Sequence, residues 1–90
     1  MDKRFLNYRI IIEKEKYENG LPVYVAYCPT LGISDYGKTV EKAKENMKEA
    51  IECHVQGLIK EGNEVPAPDN EEAYFSQTMI SVPKNIRLAF

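Results

Sequence analysis

Gly37-Lys38-Thr39-Val40-Glu41-Lys42-Ala43-Lys44-Glu45-Asn46-Met47-Lys48-Glu49-Ala50-Ile51-Glu52-Cys53-His54-Val55-Gln56-Gly57-Leu58-Ile59-Lys60-Glu61-Gly62 is the stretch that decides the fold. Val40, Ala43, Met47, Ala50, Ile51, His54, Val55, Leu58 and Ile59 recur at the 3-4 spacing of one buried helical stripe. Thr39 stands before the stripe as an N-cap, and Glu41 places a carboxylate at the positive end of the helix dipole. Lys60 falls in the last turn and Gly62 suits the left-handed position that ends a helix. Lys42, Lys44, Glu45, Lys48, Glu49 and Glu52 cover the solvent side, with Glu45–Lys48 and Lys48–Glu52 within pairing reach. A large aliphatic side chain contributes about 1.5–3 kcal/mol only when fully buried, so this helix must dock on something.

What it docks on precedes it. Residues 5–13 alternate Leu6, Tyr8, Ile10 and Ile12 against Phe5, Asn7, Arg9, Ile11 and Glu13, the pattern of a half-buried strand. Charged residues 13–18 and Asn19-Gly20 then read as a turn, and Pro22 sits at the entry of a second strand, Val23–Cys28. Pro29-Thr30-Leu31-Gly32 breaks that strand, and a short third one, Ile33–Tyr36, ends at Gly37. After the helix, residues 63–77 form a long connection with Pro66, Pro68 and the acidic run Asp69-Asn70-Glu71-Glu72, read as a solvated loop. Met79-Ile80-Ser81-Val82 is a fourth strand stopped by Pro83, and Lys84–Phe90 is a tail without a period. The order β-β-β-α-β predicts an α+β fold: an antiparallel three-strand meander, one helix, and a right-handed crossover to a fourth strand parallel to the first. The sheet order is then 3-2-1-4. One helix covers one face. The other, carrying Arg9, Ile11 and several tyrosines, is left for water, a second copy or a partner.

Ninety residues make a single domain, 1–90. Lys plus Arg is 12 against 14 Asp plus Glu, a net charge of −2, which argues against a nucleic-acid binder. There is no cationic amphipathic face for a membrane surface and no apolar run long enough to span one. Met1–Leu6 is charged and lacks a signal-peptide core, so a cytoplasmic location is expected. Cys28 and Cys53, with His54 the only histidine, cannot build a four-ligand zinc site; two free, buried thiols are expected rather than a disulfide. No cofactor is expected. A chain this short often gains stability by association, so a dimer or tetramer is expected through the uncovered sheet face or an edge strand.

Three runs of residues carry a resemblance: Pro29-x-Leu31-Gly32, Gly37-x-Thr39-x-Glu41-x-Ala43, and Asn46-x-x-Glu49-Ala50-Ile51. Together with the Gly62…Pro66-x-Pro68 ending they resemble the HicB-like antitoxins over about residues 5–83. The resemblance implies a partial ribonuclease-H-like domain that neutralises a small, basic, mRNA-cleaving toxin of the HicA type. Lys38 and Lys42 stand where that family commonly has an acid. Only eight residues follow Val82. The C-terminal helix-turn-helix or ribbon-helix-helix domain of many members is therefore not expected, nor is direct DNA binding.

A ribonuclease-H-like fold invites a nuclease reading, which needs acids on strand 1, on the helix and at the end of strand 4 to hold metals. Strand 1 offers Asn7 and Arg9, and strand 4 has no acid; Glu45, Glu49 and Glu52, beside lysines, read as a solvated face. His54 lies on the apolar stripe and reads as a packing residue. The six tyrosines, at 8, 17, 24, 27, 36 and 74, divide between sheet packing and interface contact, because a stacking platform for bases would need a positive groove. The expected protein is therefore a non-enzymatic antitoxin that occludes the RNA-binding face of its toxin, with Tyr27, Thr30, Asp35 and Tyr36 as candidate contacts. The alternative is a stand-alone, homo-oligomeric assembly module without a toxin partner.

Overall fold

The computed structural model describes residues 3–16, 19–70 and 72–89. Its helix, α1 (Val40–Lys60), begins where the cap dictates: Thr39 is extended and its Oγ1 accepts from the Lys42 amide at 3.0 Å. At the other end Gly62 takes φ 75, and the amides of Glu61, Gly62 and Asn63 donate to the carbonyls of Gly57, Ile59 and Leu58. The last-turn carbonyls are thereby satisfied. Among the described residues the surface pairs anticipated around Lys48 are absent; Lys42 Nζ instead lies 3.5 Å from Glu45, an exposed pair worth little. No described helix is long and apolar enough to cross a membrane.

Three antiparallel strands, β1 (Ile11–Lys16), β2 (Pro22–Cys28) and β3 (Ile33–Gly37), form a sheet in the order β1-β2-β3. Lys16 pairs with Pro22 and Ile11 with Tyr27; Cys28 pairs with Ile33 and Tyr24 with Gly37. The β2–β3 turn closes with the Gly32 amide on the Cys28 carbonyl at 2.8 Å, Gly32 supplying φ 68.

Ala26 and Cys28 of β2 and Ala43 and Met47 of α1 are the fully buried centre, ringed by Tyr8, Ile10, Ile12, Tyr24, Leu31, Ile33 and Ile51. Small residues at that centre let the helix lie close to the sheet. The approach is tightest at Gly37, where a Cβ would stand 2.5 Å from the Ala43 amide nitrogen. Asn46 adds a strap, its Nδ2 donating to the Tyr36 carbonyl at 2.8 Å. The helix rests on β3 and β2 and reaches β1 only at its margin.

Four expectations are corrected. The first strand lies at Ile11–Lys16 rather than residues 5–13, because β2 ends at Cys28 opposite the residues around Ile11 and does not extend the ladder to residues 5–10. The charged residues 13–16, read as a turn, are strand, which an edge position with a solvent side tolerates; Tyr17 and Glu18 lie outside the described residues. The fourth strand, Met79–Val82, does not form, so neither the 3-2-1-4 order nor the parallel crossover of a ribonuclease-H-like domain is present among the described residues. Both cysteines are free, but only Cys28 is buried; Cys53 is exposed on the helix.

Candidate partner-binding surface

Alternation along the three strands leaves one sheet face without a helix. Ile11, Glu13 and Glu15 of β1 lie across from Tyr27, Val25 and Val23 of β2, and Tyr27 and Val25 in turn face Ser34 and Tyr36 of β3. Ile11, Tyr27 and Tyr36 are exposed there, the two tyrosines at 45% and 58%. Two shallow concavities of about 330 and 470 Å³ mark this face, one lined by Ile11, Glu13, Val25 and Tyr27, the other by Glu15, Val25, Ser34 and Tyr36. Amphipathic rings beside Glu13, Glu15 and Lys16 give this face the mixed apolar and charged composition of a protein contact surface.

The four candidate contacts separate. Tyr27 and Tyr36 share the open face. Asp35 falls in register with the buried Ala26, and its Oδ1 accepts from the Tyr36 amide at 2.8 Å, so it reaches only the rim. Thr30 is elsewhere: its hydroxyl donates to Asp69 Oδ1 at 2.6 Å.

Asp69, read from sequence as part of a solvated acidic loop, is an internal clamp. Its other carboxylate oxygen accepts from the Arg9 amide at 2.6 Å, and its own amide donates to the Asn7 carbonyl at 2.9 Å. The Arg9 guanidinium donates to the Asn70 carbonyl at 3.2 Å and lies 5.1 Å over the Phe75 ring; the Tyr8 hydroxyl donates to the Pro66 carbonyl at 2.7 Å. The Arg9 amide, then the Thr30 hydroxyl, hold the Asp69 carboxyl below the usual carboxylate range, and the Arg9 charge adds to this against the effect of partial burial. Burial pushes the Tyr8 phenol above its ordinary value, and the negative charge of Asp69 acts the same way. Glu71 lies outside the described residues.

A larger concavity, about 640 Å³ and mostly apolar, runs between Ile51, Val55 and Ile59 of α1 and the chain at Leu6, Tyr8 and Val65–Pro68. His54 is half-buried on the helix. Among the described residues no group of three His, Cys, Asp or Glu side chains could hold a metal ion. The motif residues Gly37, Thr39, Ala43 and Asn46 therefore act as scaffold: they seat the helix on β3 and thereby fix Tyr36 on the opposite face.

Residues 8–81 match the family described as HicB-like antitoxin of bacterial toxin–antitoxin system. The chain is 41% identical over 68 residues to a UPF0150 protein of Synechocystis sp., covering 74% of this chain and 81% of that one. A UPF0150 protein of Thermoplasma acidophilum is 37% identical over 68 residues, 74% of this chain and 93% of that one. An uncharacterized 14.9 kDa protein from the rep-hol intergenic region of Haemophilus phage HP1 is 35% identical over 63 residues, 70% of this chain but 46% of the phage protein. No solved structure gives a significant match.

Proposed function

The chain belongs to the HicB-like antitoxins, and from that premise we propose that it neutralises a small, basic, HicA-like ribonuclease by covering that enzyme's RNA-binding face with its own open sheet face. The observation that supports this reading is the exposure of Ile11 beside Tyr27, with Tyr36 diagonal to Tyr27, on the face no helix covers. Burying two tyrosines against a partner supplies affinity of the kind concentrated in aromatic hot spots. Glu13 and Glu15 on the same face orient a cationic partner and raise its association rate. The role is non-catalytic, exercised in the cytoplasm by one antitoxin domain spanning 1–90, and it involves self-association as a dimer or tetramer. Thr30 is set aside as a direct contact because its hydroxyl is already engaged by Asp69.

The test is growth rescue. Cells expressing a HicA-type toxin from the same genome should survive when the chain is co-expressed. They should stop growing when Tyr27→Ala and Tyr36→Ala are combined in a chain that accumulates to the same level. Toxicity unrelieved by the wild-type chain would refute the reading.

A further inference from the structure

Residues 73–83, Ala-Tyr-Phe-Ser-Gln-Thr-Met-Ile-Ser-Val-Pro, carry no charge in a chain that is 29% charged. Yet every described residue from 72 to 89 is exposed, Tyr74 at 92% and Met79 at 97%. The arm stretches the molecule to 61 Å along its longest axis and its radius of gyration to 17.4 Å, against about 12 Å for a compact chain of this length. An uncharged strand-forming segment held out in water is an unfinished element.

The complementary vacancy is on the same chain. β1 ends the sheet on one side, and α1 hardly covers it. Asp69 occupies the chain's own edge at Asn7 and Arg9, the Arg9 guanidinium still lies over Phe75, and the described residues that follow are all exposed. From Ile10 to Ile12 that edge is apolar, whereas Glu13–Lys16 is charged, the device that discourages indiscriminate strand addition. We propose that residues 77–83 of one copy add as a strand to the β1 edge of a second copy, reciprocally, forming a strand-exchanged dimer. This deepens the self-association in the reading above and does not depend on the identity of the toxin.

A second copy is the occupant the observations favour. Each chain holds one arm and one β1 edge, the edge that α1 hardly covers, so a two-fold exchange matches each arm to a β1 edge. An uncharged arm also gives a basic partner no electrostatic handle. At about 200 Å² for a large apolar side chain, the seven exposed ones from Tyr74 to Leu88 present on the order of 900 Å² per copy. Burying two-thirds of that on both arms gives about 1,200 Å² before the receiving surfaces are counted, within the range of stable interfaces.

The test joins light scattering with hydrogen exchange on the full chain. Expected is a mass twice the 10.3 kDa of one chain, with amides of Met79–Val82 protected in the dimer and unprotected on dilution to monomer while α1 stays protected. Ile80→Asp and Ile80→Pro, at a position 76% exposed, should leave the helical circular dichroism intact and raise the dimer dissociation constant at least tenfold. A monomer at every concentration would overturn the proposal. So would protection of Met79–Val82 that persists in the monomer, which would place the arm on its own β1, or a dimer indifferent to both variants. None of these outcomes bears on toxin neutralisation, which growth rescue reads separately.

Discussion

Replacing Gly37 by alanine probes the contact on which the whole layer arrangement depends. A Cβ there would stand 2.5 Å from the Ala43 nitrogen, 2.8 Å from the Lys42 carbonyl carbon and 3.0 Å from the Ala43 Cα. Ordinary contact begins at 3.4 Å, so the shortfall is about 0.9 Å. Every opposing atom is backbone, and the helix that would have to retreat is pinned by the fully buried Ala43 and Met47. Overpacking of this kind typically costs about 1–3 kcal/mol, and with no side chain able to yield we expect the upper half, about 2–3 kcal/mol. For a chain of this size that lowers Tm by roughly 10–20 °C. Gly57→Ala is the matched control: it lies inside the same helix with nothing within 4 Å of the added Cβ, so it should gain about 0.5–1 kcal/mol from lost unfolded-state freedom and better helix propensity. Urea unfolding followed by circular dichroism, with all variants at one protein concentration, reads both. A cost below about 0.5 kcal/mol for Gly37→Ala, on the scale of an ordinary surface change, would refute the close seating of α1 on β3.

Met47→Ala should cost about 2–5 kcal/mol in the same assay, because it empties the largest fully buried side chain of the core. Native-state labelling with a thiol reagent should modify Cys53 quickly and Cys28 only on unfolding, one thiol before and two after. Asp69→Asn should flatten the acid side of the stability profile. A carboxyl held below its unfolded pKa contributes stability that is whole above the usual Asp range, about 4, and is lost as pH falls through the lower folded value. Wild-type Tm should therefore fall across that window more steeply than the variant's. Tyr27→Ala and Tyr36→Ala, at exposed positions, should each change stability by no more than about 0.5 kcal/mol while weakening toxin binding about tenfold or more.

The helix could be read from residues 39–62 because its signals are local: the Thr39 hydroxyl, the 3-4 stripe and Gly62 act within a few residues of one another. β2 and β3 were equally accessible between Pro22 and Gly37. Strand 1 was displaced because its limits are set by pairing: Lys16 meets Pro22, β2 ends at Cys28, and residues 5–10 are left without a ladder despite their strand-like composition. Met79–Val82 failed for the same reason, since apolar alternation identifies a strand but not the edge that receives it. Of the candidate surface, the interface character of Tyr27 and Tyr36 is legible in their residue type, and the strand register places both on the open face. What engages Thr30 and Asp35, on either side of the Leu31-Gly32 turn, is visible only in three dimensions. The Asp69 clamp spans 60 residues to Arg9 and 39 to Thr30, and no local pattern announces it.

The central claim is that the open sheet face silences a ribonuclease, and inhibition of RNA cleavage tests it most directly. Purified HicA-type toxin from the same genome, mixed with increasing amounts of the chain, should lose its cleavage of a labelled mRNA near equimolar antitoxin. With Tyr27→Ala and Tyr36→Ala combined, the inhibition midpoint should move up by tenfold or more. Undiminished cleavage at every ratio would contradict the antitoxin account, and an unshifted midpoint for the double variant would contradict the face assigned to it.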